Sequence, residues 1–316
     1  MRDLVQTQGN KFIKELLRSN NVPIGVNKSD FLNNLNDGIS DGKINQQKIE
    51  SWLEEIEGWG NQHIYLLMAP KATSFNLKAK IQKSKFKKLL DHKVSSDYPT
   101  KFCLKTISIS NQEVTIGWHQ GSERWIKVAD LDEIRTISAD LYEFRAYRQQ
   151  SDRQIARMNY RFGDQHCSLF VTHPKERDAH DPLFKVIWKD LKVLGFCQEP
   201  LPRNPLKKQL NVLNKRKDLK IKSIRMHSHG SYVDIVSTVP DQGIHDDVFS
   251  RHAQNGINAK AASSSDNVFR FNSDNLSGLS KAIRVDASDK DSRLFIRAQC
   301  PRSDIFLLVR EILAAK

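Results

Sequence analysis

The 316-residue chain is basic, with a formal net charge of +13, and 39% of its residues are hydrophobic; that is enough to bury more than one core and too much for wholesale disorder. Its longest apolar run, 64–70, falls far short of the ~20 residues that a membrane helix needs. The opening MRDLVQTQGNKF holds no apolar signal core, so a soluble intracellular protein (cytoplasm, nucleoid or nucleus) without membrane contact is expected.

Residues 1–70 read as a small helical bundle. Phe12, Ile13, Leu16 and Leu17 follow a helical period that Val22-Pro23-Ile24-Gly25 breaks. Ser29 is placed to cap a second helix carrying Phe31, Leu32 and Leu35, which Gly38 would end. A third starts near Asn45, with Ile49, Trp52, Leu53 and Ile56 on one stripe and Gly58 as its stop. A fourth is expected over Trp59 to Met68, halted by Pro70.

Residues 71–93 hold eight Lys against Asp91. They read as a basic connector ending in a helix, with Phe86, Leu89 and Leu90 as its apolar edge and Lys80, Lys83 and Lys87 on a neighbouring stripe. Like charges at that spacing destabilise an isolated helix by a few tenths of a kcal/mol, roughly, per pair. The pattern then turns to strands, over Lys101–Ser110, Glu113–His119, Arg124–Val128, Tyr142–Gln149, Arg153–Phe162 and Cys167–Thr172. A helix over Asp181–Leu194, with Phe184, Ile187, Trp188 and Leu191 at helical spacing, closes a unit over 71–197. Three Pro and a dense basic run make 198–217 a linker. Residues 218–316 then read as a smaller α+β domain: a hairpin over Asp218–His227 and Tyr232–Val239, a helix near Ile244–Gln254, strands at Val268–Phe271, Ala282–Val285 and Arg293–Ala298, and a last helix over Ile305–Ala314. The expected class is α+β, with an antiparallel sheet carrying helices on one side.

Positive charge is concentrated in three segments. Besides 71–93, residues 145–161 hold five Arg against Asp152, and 201–225 hold nine Lys or Arg against Asp218. The rest of the chain is acidic, so the clusters call for a polyanion. Period-two reading of 153–162 puts Arg153, Ile155, Arg157, Asn159 and Arg161 on an outer face and Ala156, Met158, Tyr160 and Phe162 on a core face. A three-residue turn at Ser151 would set Arg145 opposite Arg157, with Tyr147 facing outward beside them. Such a face suits phosphate: guanidinium forks bind its oxygens and an aromatic ring stacks or hydrogen-bonds. The nucleic-acid contacts expected from this pattern are Lys78, Lys80, Lys83, Lys87, Arg145, Tyr147, Arg153, Arg157, Arg161, Lys207, Lys208, Lys215, Arg216 and Lys217.

Catalytic signatures are sparse. No Walker loop, GxGxxG, HExxH or GxSxG occurs. Cys103, Cys167, Cys197 and Cys300 form no CxxC pair, which argues against a zinc ribbon or a disulfide framework. His227 and His229, with Asp234, are weak metal candidates, because an H-x-H strand points both rings to one side; at a hairpin turn they read first as solvated histidines. His166, His173, His180 and Asp181, clustered around a strand end and a helix start, are a second weak metal candidate; His173-Pro174 reads first as a turn and Asp178 or Asp181 as a helix cap. No cofactor is expected.

The order of elements over roughly residues 12–195 resembles that of centromere protein N and its fungal counterpart. Phe12-Ile13-Lys14 opens the first helix in a similar way, and Lys28-Ser29-Asp30 starts a comparable short helix. Phe86-Lys87-Lys88-Leu89-Leu90 is spelled almost like a family helix, and Glu113-Val114-Thr115-Ile116-Gly117-Trp118 is similar to the family's following strand. Arg157, Tyr160 and the Phe184 helix follow in similar order. The resemblance implies a pyrin-like helical bundle, a basic helix leading into an antiparallel sheet, and a chromatin-associated, non-enzymatic DNA reader whose basic groove holds duplex backbone. Two departures are plain: residues 1–70 are slightly acidic, and 226–316 show no similarity.

Together these readings describe a non-enzymatic DNA-binding protein that contacts mainly backbone. Double-stranded DNA is the expected partner, with RNA as the alternative, and the 1–70 bundle would meet a protein partner or another copy. The rivals are a metal-dependent, nuclease-like component of a DNA-processing or defence system and a protein-interaction scaffold.

Overall fold

The computed structural model describes residues 4–5, 8–57, 62–91, 99–172, 180–228, 231–239, 242–258, 263–298 and 300–315. The chain is mixed α+β, with N-terminal helices followed by an antiparallel sheet. Among the described residues no helix is long and apolar enough to cross a membrane. The chain divides into two compact units, and neither is a single stretch of sequence. One comprises Met1–Trp52, Ser95–Cys103 and His119–Gln154; the other comprises Leu53–Val94, Leu104–Trp118 and Ile155–Lys316. The expected boundaries after 70 and 197 both fall inside the second unit.

The first unit contains α1 (Asn10–Ser19), α2 (Lys28–Ser40) and most of the turns of α3 (Gln46–Glu57). Ile13, Leu16 and Leu17 of α1 are buried with Phe31 and Leu35 of α2. The α2 cap is Asn27 rather than Ser29: its side chain accepts from the Asp30 N–H at 3.0 Å, and the Asp30 carboxylate accepts from the Asn27 N–H at 3.2 Å. Nor does Gly38 end α2. It lies inside the helix at a close approach, where a Cβ would fall 2.8 Å from Val22 Cγ2. The stop expected at Gly58 lies outside the described residues. The unit also holds a two-stranded ribbon of β4 (Glu133–Ile137) and β5 (Asp140–Phe144), in register from Glu133↔Phe144 to Ile137↔Asp140.

The second unit is built on a ten-stranded sheet of order β2-β3-β6-β7-β1-β12-β11-β10-β8-β9. Its strands are β1 (Gln62–Met68), β2 (Cys103–Ile109), β3 (Glu113–Lys127), β6 (Tyr147–Arg161), β7 (His166–Thr172), β8 (Lys220–Ser228), β9 (Ser231–Val236), β10 (Ser263–Phe271), β11 (Ile283–Ser288) and β12 (Arg293–Ile296). Strands β3 and β6 each run on past the unit boundary. Helices α4 (Ser74–Gln82), α5 (His180–Leu194), α6 (Lys207–Leu213), α7 (Val248–Asn258) and α8 (Arg302–Ala314) belong to the same unit.

Several expectations are corrected. The fourth N-terminal helix is strand β1, which pairs antiparallel with β7 and β12 in mid-sheet. Gln62 to Leu67 are all buried, and a strand buried on both faces loses the alternation that separates strand from helix. The two strands expected around Ser151 are one strand, β6, so no turn sets Arg145 against Arg157; likewise β3 runs unbroken from 113 to 127. The expected linker 198–217 is packed, with Leu206, Leu210 and Leu213 fully buried in the core of the second unit. The C-terminal strands join the same sheet as the middle ones. The hairpin expected over 218–239 is present as β8 and β9, paired from Ser223↔Val236 to Ser228↔Ser231.

Two helical layers flank this sheet on opposite sides. Tyr65 of β1 meets Phe184 of α5 edge-on at 5.0 Å, and the Trp118 indole of β3 donates to Asp190 of α5 at 3.0 Å. Alternate residues face the other way: Phe170 of β7 meets Phe306 of α8, and Ile64 and Leu66 share a core with Leu210 of α6 and Leu308 of α8. Helix α4 packs beside α5.

Candidate nucleic-acid interface

Helix α4 starts at Thr73, whose hydroxyl accepts from the Asn76 N–H at 3.3 Å, and buries Leu77 and Ile81. That places Lys78 at its half-buried flank and Lys80 and Lys83 in solvent. The helix ends at Gln82, earlier than expected. Residues Lys87–Leu89 form a separate 3-10 turn, so Lys87 is exposed on a different element. Lys85 lies over the Phe86 ring, 4.9 Å from its centroid.

Helix α5 buries Leu183, Ile187, Asp190, Leu191 and Leu194. The opposite stripe carries Lys185, Lys189 and Lys192, all exposed and spaced i, i+4, i+7. Gly195 (φ +72°) ends the helix, and the Lys80 side chain crosses the place its Cβ would occupy. The lysines of α4 are thus carried to the end of the α5 stripe. Lys192 pairs with exposed Glu199 at 3.5 Å, a contact worth little in solvent. Among the described residues, Lys78, Lys80, Lys83, Lys87, Lys185 and Lys189 form no ion pair. Asp190, on the same helix, is turned inward to Trp118. Burial pushes its pKa up, against the Trp118 hydrogen bond and the charges of Lys85 and Lys189.

The same side of the sheet continues onto the C-terminal strands. Arg270 lies opposite Arg284 on β11 and Lys220 on β8, so three cations line up across adjacent strands. Like charges opposed this way are unfavourable unless compensated; Asp286 binds Arg284 at 3.2 Å and Arg297 at 2.8 Å.

Other expected contacts fall elsewhere. Arg157 is 5% exposed, facing the α8 side opposite Phe170, so it is not a surface cation; with Ile155 and Asn159 also buried, the basic outer face of 153–161 does not exist as read. Arg161 is exposed on the α8 side. Lys207, Lys208, Lys215 and Lys217 are exposed on or beside α6, across the sheet from α4 and α5. Arg216 is held by Asp218 and Glu311. Arg145, Tyr147 and Arg153 belong to the first unit: Arg145 pairs with Glu143 at 3.1 Å, Tyr147 is exposed, and Arg153 hydrogen-bonds His119 at 2.7 Å.

Of the metal candidates, Asp234 is taken by a two-pronged bond to Arg225, 2.7 Å at each oxygen. His227 sits in β8, and His229 lies outside the described residues. No group of three metal-binding side chains occurs among the described residues. The Lys185, Lys189 and Lys192 stripe was missed because α5 was read only for its apolar face; the i, i+4, i+7 lysines were visible in the sequence.

No family model, curated protein or solved structure matches the chain.

Proposed function

We propose that the protein binds duplex DNA without catalysing a reaction on it, through the lysine surface of α4 and α5. The supporting observation is that Lys78, Lys80 and Lys83 share one side of the second unit with Lys185 and Lys189, and none of the five is neutralised within the described residues. Lys185 to Lys192 span about 10 Å along one helix face, a spacing on which flexible ammonium groups can follow a phosphate backbone. Recognition is of backbone and shape, since lysine on an exposed helix face presents a compact point charge without the rigid planar fork of arginine. The helix-to-sheet order that resembles the kinetochore family agrees with this role. The reading narrows the sequence expectation to one side of the sheet and moves Lys207, Lys208, Lys215 and Lys217 out of the main contact.

Fluorescence anisotropy with two unrelated labelled duplexes, single-stranded DNA and duplex RNA, over 50–200 mM salt, tests this. Binding to both DNA duplexes should fall with salt along one shared slope. Lys80→Glu/Lys189→Glu should weaken both alike and shallow the slope by about two, since each phosphate contact contributes about 0.9. Lys208→Glu/Lys215→Glu, on the opposite side, should change it far less. Absence of DNA binding at 50 mM salt, or equal losses from the two double variants, would sink the proposal; tighter binding to RNA would reassign the ligand.

A further inference from the structure

On the far side of the sheet, between α8 and strands β3, β6 and β7, lies a groove of about 930 Å³. That is at the upper end of the range for small-molecule sites, roughly 300–1,000 Å³. One wall is apolar. Phe306, Leu307 and Leu313 of α8 touch the core with one edge and line the groove with the other. Gly278 closes the rim in a left-handed conformation (φ +97°), where a Cβ would press on Leu307 at 3.4 Å.

The floor is polar. Asn159 donates to Thr115 Oγ1 at 3.1 Å and lines the groove. His166 has a buried Nδ1 with no partner among the described residues; burial holds its pKa below the ordinary histidine value, against the charge of Asp164. Two cations meet the groove from different elements, Arg161 from β6 and Arg310 from α8. Both are exposed, and neither forms an ion pair among the described residues. Of the two acids on the lining, Glu113 is taken by Arg302 at 3.2 Å, which leaves Asp164.

We infer that this groove binds a small amphiphilic carboxylate, its aliphatic body along α8 and its charged end between Arg161 and Arg310. The apolar wall from residue 306 to 313 runs about 10 Å, enough for a medium-length chain. Two guanidinium groups against one remaining acid leave a net charge of +1, which matches a carboxylate and leaves the second charge of a phosphate ester beside Asp164 unmatched. Because the groove faces away from α4 and α5, its occupation is independent of the DNA reading.

Titration calorimetry of the intact protein with sodium decanoate, below its micelle concentration, tests the inference; decanol is the neutral comparison, followed by ligand-detected NMR. Saturable one-to-one binding with Kd of about 1 mM or tighter is expected for a ligand of this size. Decanol should bind about tenfold more weakly, and so should decanoate to Arg310→Glu and to Arg161→Glu. Lys208→Glu should bind decanoate like the parent protein. Since Arg161 and Arg310 are on the surface, their variants should retain the parent melting temperature. No saturable binding, equal binding of decanol, or undiminished binding by both arginine variants would overturn the assignment.

Discussion

The Trp118–Asp190 bond joins β3 to α5 beneath the lysine stripe, and its energetics depend on pH. Asp190 is raised above its ordinary carboxyl value because burial opposes its charge, and the Trp118 indole offsets part of that cost. A carboxyl whose folded pKa exceeds its unfolded one binds its proton more tightly in the fold. Stability therefore falls as pH rises from about 4, the unfolded value, through the folded value, and is flat above it. Trp118→Phe removes the donor and leaves the carboxylate unsatisfied. It should cost about 1–3 kcal/mol at pH 7 and less at pH 4, because a carboxyl raised above its ordinary value in the fold is more protonated there and leaves less charge unsatisfied. Asp190→Asn keeps an acceptor for the indole and should be at least as stable as the parent at pH 7. Urea midpoints at the two pH values check this; an equal loss for Trp118→Phe at both would show that packing, and not the carboxylate, is what the indole secures.

At the scale of elements, legibility followed periodicity. Helix α5 and hairpin β8–β9 could be read because a 3.6-residue stripe and a turn between alternating runs each left a plain signature. Strand β1 could not, because Gln62 to Leu67 are buried on both faces. The ribbon β4–β5 was legible only where residues 142–144 of β5 fall inside the strand expected over Tyr142–Gln149, and the rest was hidden for a different reason. Its two-residue loop, Ser138-Ala139, has both residues at positive φ (+52° and +73°), the conformation of a type I′ turn that Asn-Gly normally announces. Non-glycine residues there cost roughly 1–2 kcal/mol each. Replacing the pair with Asn-Gly should therefore stabilise the ribbon by about 1 kcal/mol, seen as roughly fivefold slower amide exchange along the Glu133–Phe144 ladder. Unchanged or faster exchange would mean that the loop is not strained as its dihedral angles say.

At the scale of the whole molecule, what the sequence concealed was which distant segments share a sheet. Charge clusters can be counted along a chain, but their side of a sheet depends on register and crossing order. Thus Lys80 and Lys208, both exposed, lie on opposite sides of the sheet, and Arg157 is drawn inside. The same topology makes a prediction about folding. β1 from the N-terminal part pairs with β12 from the C-terminal part, in register from Gln62↔Ile296 to Tyr65↔Arg293. Leu206, Leu210 and Leu213, from the segment read as a linker, complete the core beneath them. A cut in 198–217 therefore divides one sheet and one core rather than two domains. Fragments 1–205 and 206–316 expressed separately should each leave a mid-sheet strand edge unpaired, β1 in one and β12 in the other, and be aggregation-prone. Neither should show a cooperative urea transition. Co-expressed, they should associate and regain the transition of the intact chain, because the sheet's ladders need no covalent link at the cut. Two fragments that each unfold cooperatively when alone would show instead that the β1–β12 pairing is dispensable, and with it the single ten-stranded sheet that sets α4 and α5 on one side and the α8 groove on the other.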